Sequence, residues 1–181
     1  MATIPTNMPI AETFVSVREY LNTSYSPDCE YVDGRIVERN SGEKDHSLLT
    51  KYFTVLFDLH EEDWGVVVYP ELRTQVAQTR YRIPDVLVVP AGVEFKRILE
   101  VPPLIAIEIL SPKDKWSDVL EKVDEYIAFG TESIWIFEPG RRRVWTADSS
   151  GLHLVEVDTL TVPGTQIRVV PSEAFAKLDR A

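Results

Sequence analysis

The most constraining feature of the sequence is an apolar run at residues 104–110 that is interrupted by one acid, Glu108. An apolar run of this length is typical of a central strand that is covered on both faces of a sheet. Because side chains alternate along a strand, Glu108 shares a face with Ala106 and Leu110, where an ionised carboxylate needs a cation, a hydrogen-bond donor or a metal. The run therefore predicts a buried strand whose acid belongs either to a structural ion pair with an arginine or to a functional site.

The segments around this strand alternate between helical and extended hydrophobic patterns. Apolar residues at helical spacing predict helices at residues 13–21, 47–60, 118–129 and 173–178. Short runs rich in β-branched residues predict strands at residues 66–68, 72–76, 86–89, 104–110, 134–137, 143–146, 152–157 and 166–170, and the Asp-Gly pair at 33–34 predicts a hairpin at 30–38. Asp45 or Ser47 is the expected N-cap of the second helix, and Gly130 is the expected C-cap of the third. This order predicts an α/β or α+β fold with a mixed central β-sheet flanked by helices.

Length and composition are those of an ordinary globular chain, with 181 residues, 44% of them hydrophobic and 27% charged. We expect residues 1–12, which are rich in polar residues and prolines, to form a flexible N-terminal arm and residues 13–181 to form a single domain. No apolar run approaches the roughly 18–20 residues of a membrane span, and no signal peptide is recognisable. A single cysteine, Cys29, fits a reducing compartment, so we expect a cytoplasmic protein without membrane contact.

The charge balance limits how the chain can meet nucleic acid. A net charge of −10 argues against a protein that coats nucleic acid by electrostatics alone, but not against an enzyme that gathers carboxylates around metal ions. Basic residues that could follow a DNA backbone are Arg73, Arg80 and Arg82, Lys113 and Lys115, and the arginines at 141–143. No interleaving of arginine and aromatic residues predicts a stacking platform for single strands.

A second acid, Asp85, stands directly before the apolar strand at residues 86–89. Since it follows Pro84, it could be an ordinary capping or turn aspartate. If its strand neighbours the strand of Glu108, however, the two carboxylates face a shared point and can bind one hard divalent cation through oxygen. Mg²⁺ or Mn²⁺ would suit such a pair.

A lysine on the next predicted helix adds a positive charge to this group. At about 100° per residue, Val119 and Val123 fall on an apolar arc and Lys122 falls at its border. Lys122 is therefore the basic residue of this helix best placed to face the sheet, with Tyr126 one turn later. The alternative is a lysine that extends to solvent from the edge of a core face.

Several of these segments occur in an order and spacing that match a known family. They are residues 30–34, His46 at the start of a helix, and residues 81–86, 107–112, 122–126 with Gly130, and 135–139. Together they resemble the bacterial Uma2 family of endonucleases, within the PD-(D/E)XK, or restriction endonuclease-like, superfamily. The resemblance covers about residues 30–140. It implies a core of helix, antiparallel strands, helix and strand, with Asp85 and Glu108 as metal-binding acids.

One position departs from the superfamily pattern, in which a lysine follows the strand acid by two residues. That position is Leu110 in this chain. In this family the lysine comes from the following helix, and the resemblance assigns it to Lys122. Lys113 and Lys115, in the loop between strand and helix, are alternatives.

The activity implied by the resemblance is hydrolysis of DNA phosphodiester bonds, with Asp85, Glu108 and Lys122 as catalytic residues and Mg²⁺ or Mn²⁺ as the cofactor. Lysine and metal would stabilise negative charge in the transition state and activate water. Cutting both strands of a duplex needs two sites, which favours a homodimer, although the chain contains no recognisable dimer motif.

Three further residues are accessory candidates. Glu71, on the strand before Asp85, could supply another metal oxygen or be an exposed strand glutamate. His46 could contact phosphate or assist proton transfer, or be a cap or surface residue. Tyr126 accompanies Lys122 on the helix.

Two alternatives to an enzyme remain open. A restriction endonuclease-like domain without cleavage could serve as a binding or assembly module, which the absent strand lysine and the net charge favour. A structural protein could simply neutralise both buried acids with arginines.

Overall fold

The structure is a computed structural model that describes residues 14–40 and 42–180. The predicted N-terminal arm at residues 1–12 lies outside the described residues. Within the described part, the chain forms short and medium α-helices and twelve β-strands. In chain order they are α1 (Val17–Asn22), β1 (Cys29–Val32), β2 (Arg35–Glu38), α2 (Lys44–Asp58), α3 (Glu61–Trp64), β3 (Val66–Pro70), β4 (Thr74–Ala77), β5 (Arg80–Arg82), β6 (Val86–Pro90), β7 (Ile105–Ile109), α4 (Trp116–Phe129), β8 (Ser133–Glu138), β9 (Arg143–Asp148), β10 (Gly151–Leu154), β11 (Leu160–Thr161), β12 (Arg168–Val169) and α5 (Pro171–Phe175).

The central sheet has six strands in the order β10-β9-β8-β7-β6-β3. β7 and β8 are parallel, because α4 connects them as a crossover, and the other neighbours are antiparallel. Every residue of β7 is buried, as its apolar sequence predicts. The predicted mixed sheet is therefore confirmed.

Helices cover both faces of this sheet. On one face, Phe53 and Phe57 of α2 and Phe175 of α5 pack against Phe137 and Trp135 of β8. On the other face, Val119, Val123 and Tyr126 of α4 form a second apolar cluster with the sheet, which includes Ala106 and Ile136. Such layers bury the apolar stripe of each helix and account for most of the stability of an amphipathic helix in a protein.

A smaller antiparallel sheet, in the order β2-β1-β5-β4, lies beside α4. Its first hairpin turns at Asp33 and Gly34, which have φ values of 49° and 93°, so the predicted Asp-Gly turn is confirmed. From the end of β5 the chain continues through Ile83 and Pro84 into Asp85 and β6. The small sheet and the central sheet therefore meet at Asp85.

Several boundaries differ from the predicted ones. α2 begins at Lys44 behind Glu43, whose side chain makes no capping hydrogen bond, so the predicted N-caps Asp45 and Ser47 are wrong. Asp45 instead lies in the first turn, where an acid interacts favourably with the helix dipole. The short elements α3, β5 and β11 have too few residues to show a periodicity, and the sequence patterns did not predict them. Gly130 ends α4 with a φ of 99°, which confirms the predicted C-cap.

The described residues include no helix that is both long enough and apolar enough to span a bilayer.

Candidate active site

Asp85 and Glu108 come from neighbouring antiparallel strands. In the register of β6 and β7, Val86 pairs with Ile107. One step further along the same register, Asp85 stands opposite Glu108. Both carboxylates are buried, at 4% and 7% exposure. The pairing of β6 with β7 therefore brings the two carboxylates to one point, as the sequence predicted.

Asp85 is surrounded by donors. Its Oδ1 accepts from Nη2 of Arg39 at 2.8 Å and lies 3.0 Å from Nε2 of His46, while Oδ2 accepts from the backbone N–H of Ile109 at 2.7 Å. Burial opposes ionisation of this carboxyl, but His46, Arg39 and the Ile109 N–H outweigh burial and hold its pKa below the ordinary value. Asp85 is therefore an anion at neutral pH.

Glu108 has two partners, both on α4. Its Oε2 lies 3.2 Å from Nζ of Lys122, and its Oε1 accepts from the hydroxyl of Tyr126 at 2.7 Å. Burial raises the pKa of Glu108 above its ordinary value; the charge of Lys122 opposes this rise, and the charge of Asp85 adds to it. A buried carboxyl whose pKa is raised by a neighbouring carboxylate favours a cation beside it.

Lys122 lies between two acids. Its Nζ is 3.0 Å from Oε1 of Glu30 and 3.2 Å from Oε2 of Glu108. Burial alone would lower the pKa of Lys122, but Glu108 and Glu30 raise it above the ordinary value. Lys122 is therefore an ammonium at neutral pH and cannot serve as a general base there.

Glu30, on β1, connects Lys122 to a buried arginine. Its Oε2 accepts from Nη1 of Arg82 at 2.9 Å, and its Oε1 also accepts from the backbone N–H of Ile83 at 3.1 Å. Arg82 in turn donates to both oxygens of Glu125, at 2.5 and 2.8 Å. Burial opposes ionisation of Glu30, but Lys122 and Arg82 hold its pKa below the ordinary value. This network fixes the position of the Lys122 side chain from the side away from Glu108.

Arg39 and Glu71 complete the surroundings of Asp85. Arg39 follows β2, and its Nη1 lies 3.0 Å from Oε1 of Glu71. Glu71 itself is exposed and lies in the turn after β3, with a φ of 51°, and not on a strand as the sequence suggested. Its carboxylate reaches the site through Arg39, and its backbone N–H donates to the carbonyl oxygen of Asp85 at 3.2 Å.

The structure brings together most of the residues that the sequence selected. Asp85, Glu108, Lys122, Tyr126 and His46 all lie at one place, and Glu71 lies at its edge through Arg39. The alternative lysines Lys113 and Lys115 are exposed and make no described ion pair with either buried acid. The arrangement thus selects Lys122 among the three by position, while its role stays a prediction.

The structure also shows the partners of basic residues that were expected to follow a DNA backbone. Arg73, Arg80 and Arg82 each pair with carboxylates of the same chain, and their contact with DNA stays a prediction. Arg73 pairs with Asp28 and lies over the ring of Tyr20, and Arg82 is only 4% exposed. Spacing in sequence does not reveal such pairing, because the acids come from distant elements.

Two residues of the site were missed. Glu30 was part of the hairpin motif without a role, and Arg39 was not selected at all. The available signal for Glu30 is its position between Cys29 and Tyr31, both of which are buried. Nothing in the local pattern marks Arg39.

The site opens into a cavity of about 620 Å³ that Glu30, Arg39, His46, Asp85, Glu108 and Lys122 help to line. Among the described residues, no three His, Cys, Asp or Glu side chains form a group that could hold a metal ion by themselves. A hard cation such as Mg²⁺ is commonly held by one or two carboxylates, with water and phosphate oxygens as its remaining ligands. The pair Asp85 and Glu108 fits a cation of that kind.

The fold, a mixed central sheet flanked by helices, is that of the restriction endonuclease-like proteins. Among solved structures, the chain is similar to a putative nuclease belonging to DUF820 from Anabaena variabilis ATCC 29413, with 20% sequence identity and a TM-score of 0.79 over 91% of this chain and 99% of that chain. The Uma2 family model, described as a putative restriction endonuclease, matches residues 17–172. No curated protein matches the chain. The chain belongs to the Uma2 family, as its sequence motifs indicated.

Proposed function

We propose that this protein is a divalent-metal-dependent endonuclease that hydrolyses phosphodiester bonds of DNA. The observation that carries the proposal is the ammonium of Lys122 at 3.2 Å from Glu108, on the strand next to Asp85. Two acids that can hold a hard cation, with one fixed positive charge beside them, suit a reaction in which charge develops on phosphate oxygens. Membership of a family described as putative restriction endonucleases supports DNA as the substrate.

Asp85 and Glu108 would hold Mg²⁺ or Mn²⁺ in this proposal. When bound, such a cation polarises a phosphate oxygen and lowers the pKa of a coordinated water. Tyr126 holds Oε1 of Glu108 and the N–H of Ile109 holds Oδ2 of Asp85, so both carboxylates are oriented by the chain itself. Oriented acids lose little entropy when a ligand binds.

Lys122 contributes a fixed positive charge. Since its pKa is raised, the ammonium remains protonated and donates hydrogen bonds to an attacking water or to a phosphate oxygen in the cavity. Glu30 and Arg82 keep it in place, because Glu30 accepts from both. Lys122 thus stabilises charge and does not remove a proton.

His46 and Arg39 place positive charge on the far side of Asp85. Burial would lower the pKa of His46, but Asp85 raises it above the ordinary value. Both groups line the cavity, and the guanidinium of Arg39 has N–H groups beyond those paired with Asp85 and Glu71 that can donate to a substrate phosphate. The cavity therefore offers positive charge in addition to that of Lys122.

The setting we propose is the bacterial cytoplasm, with Cys29 as a buried free thiol. For duplex substrates we propose a homodimer, since each chain supplies one such site and two strands must be cut.

A second candidate function is a non-catalytic nucleic-acid binding or assembly module. The observation that favours it is that Asp85 and Glu108 already have protein partners on every carboxylate oxygen. A domain of this kind binds DNA without metal and does not cleave it.

The deciding experiment is cleavage of supercoiled, linear, single-stranded and branched DNA with Mg²⁺ or Mn²⁺. We expect cleavage that EDTA abolishes and that Glu108→Gln reduces by at least about a hundredfold. Glu132→Gln is the matched control, because Glu132 is an exposed acid outside the site. Activity that survives both EDTA and Glu108→Gln contradicts the proposal, and binding without any cleavage supports the second candidate.

A further inference from the structure

Two tryptophans from distant parts of the chain meet beside the candidate active site. Trp116 is the first residue of α4, and Trp145 lies in β9. Their ring centroids are 4.9 Å apart with an interplanar angle of 53°. Trp116 is 39% exposed. The pair therefore presents aromatic surface to solvent, unlike Trp135, which is completely buried.

The pair lies in a cavity that continues from the candidate active site. This second cavity has a volume of about 570 Å³, within the range of small-molecule sites. His46, Ser111 and Val119 line both cavities. We call this second cavity the tryptophan cavity. When one phosphate of a DNA strand lies at Asp85 and Glu108, the tryptophan cavity lies beside that DNA strand.

The walls of the tryptophan cavity carry both signs of charge. Arg141 and Arg143 lie on one side, together with Glu138, whose Oε1 is 2.9 Å from Nη1 of Arg141. Glu43 and Asp45 lie at the start of α2. Such a mixture does not suit a run of phosphates, which binds to uniformly basic surfaces. It does suit the edge of a nucleobase, which presents amino donors and carbonyl or ring-nitrogen acceptors.

We propose that Trp116 and Trp145 form a stacking subsite for an unpaired nucleobase of the substrate strand. The inference rests on the proposed function, because it assumes that the phosphate next to that base binds at the candidate active site. A neutral aromatic base gains stacking on tryptophan whatever its identity. The charged walls then contact its edge.

The subsite predicts the form of DNA that the protein prefers. In a duplex, stacked and paired bases cannot reach a ring on the protein surface, so the subsite is available only to single-stranded, forked or locally unpaired DNA. A blunt duplex would bind through its phosphates alone.

The test is the affinity of wild type and Trp116→Leu for three fluorescein-labelled DNAs in EDTA, measured by anisotropy. The DNAs are a single strand, a fork with the same sequence and a blunt duplex. We expect Trp116→Leu to bind the single strand and the fork about tenfold more weakly and the duplex without change, because base stacking is lost only where an unpaired base is available. Trp116→Phe, which keeps a ring, should restore most of the affinity.

Trp64→Leu is the control for the loss of a tryptophan elsewhere, since Trp64 packs on His60 and Phe57 and lines neither cavity. Thermal unfolding of each variant shows that the chains compared are folded. Equal affinity of wild type and Trp116→Leu for the single strand, or an equal loss for all three DNAs, overturns the subsite.

Cleavage assays with Mn²⁺ separate this inference from the proposed function. If Trp116→Leu binds and cleaves each DNA as well as the wild type does, the subsite is overturned and the nuclease function is not. Trp116-dependent binding without cleavage overturns the nuclease and supports the subsite. No binding of any DNA by the wild type overturns both.

Discussion

The ammonium of Lys122 lies 3.2 Å from the carboxylate of Glu108, although the two residues belong to different elements. The position two residues after Glu108, where the superfamily pattern has a lysine, is Leu110, which contributes to the apolar packing around α4. α4 packs across β8 and β9 and brings Lys122 over the end of β7. α4 thus supplies the positive charge that is absent two residues after Glu108.

Lys122→Met should reduce cleavage by about a hundredfold to a thousandfold, because one fixed donor to the transition state is removed. Lys122→Arg should retain part of the activity, since the charge is kept at a different geometry. The measurement is the single-turnover cleavage rate with saturating Mn²⁺. Lys113→Ala is the control, because Lys113 is exposed and does not line the cavity, and it should stay within about threefold of the wild type. A loss as large as that of Lys122→Met in Lys113→Ala or in Lys115→Ala would move the lysine role to the loop.

Glu30→Gln should destabilise the protein by about 3 kcal/mol at neutral pH, because Lys122 and Arg82 lose a buried anion. The folded-state pKa of Glu30 is lowered, so its contribution is complete above the unfolded-state pKa of about 4.3 and is lost as the pH falls through the folded-state value. Urea unfolding of both proteins at neutral and acidic pH should therefore show a difference that shrinks on acidification. A difference that is constant with pH would mean that the effect does not come from the Glu30 charge.

Asp85→Asn should lower the pKa of His46 in the metal-free protein, because Asp85 is the partner that raises it against the effect of burial. The His46 pair contributes stability that is fully present below about pH 6.5, the unfolded-state pKa, and is lost as the pH rises through the raised folded-state pKa. An NMR titration of the histidine ring signals in EDTA measures this shift, with His46→Gln to assign the resonance. An unchanged titration of His46 would show that the ion pair with Asp85 does not form in solution.

Phe53→Ala should reduce the free energy of unfolding by about 3–5 kcal/mol, because Phe53 is completely buried and packs on Phe137 at 4.6 Å between ring centroids. Leu59→Ala is the control, since Leu59 is 72% exposed, and should change stability by less than about 0.5 kcal/mol. Chemical denaturation of the two variants checks the packing of α2 on the central sheet. Equal losses of unfolding free energy in the two variants would mean that Phe53 does not anchor α2 to the central sheet.

Much of the fold could be predicted because the signals are local. The apolar run at 104–110 predicted β7, the Asp-Gly pair predicted the hairpin of β1 and β2, and Gly130 predicted the end of α4. Asp85, Glu108 and Lys122 could be selected because each is a charge at or beside an apolar pattern. Short elements such as β5 contain too few residues for a period to be recognised.

The partners of those charges could not be predicted in the same way. Glu30 reaches Lys122 and Arg82 only because the small sheet packs beside α4, and Arg39 reaches Asp85 from the far end of the hairpin. Trp116 and Trp145 likewise meet only once α4 lies on β9. These contacts join residues that are distant in sequence, so no local spacing records them.

The sequence by itself determined which segments are strands and helices and which charges interrupt their apolar faces, because hydrophobic periodicity and turn residues act over a few neighbours. Only the tertiary structure decided which cation neutralises which acid and which aromatic rings stay exposed. The physical reason is that a carboxylate or a ring has the same local pattern whatever it meets, while its partner is fixed by how distant elements pack.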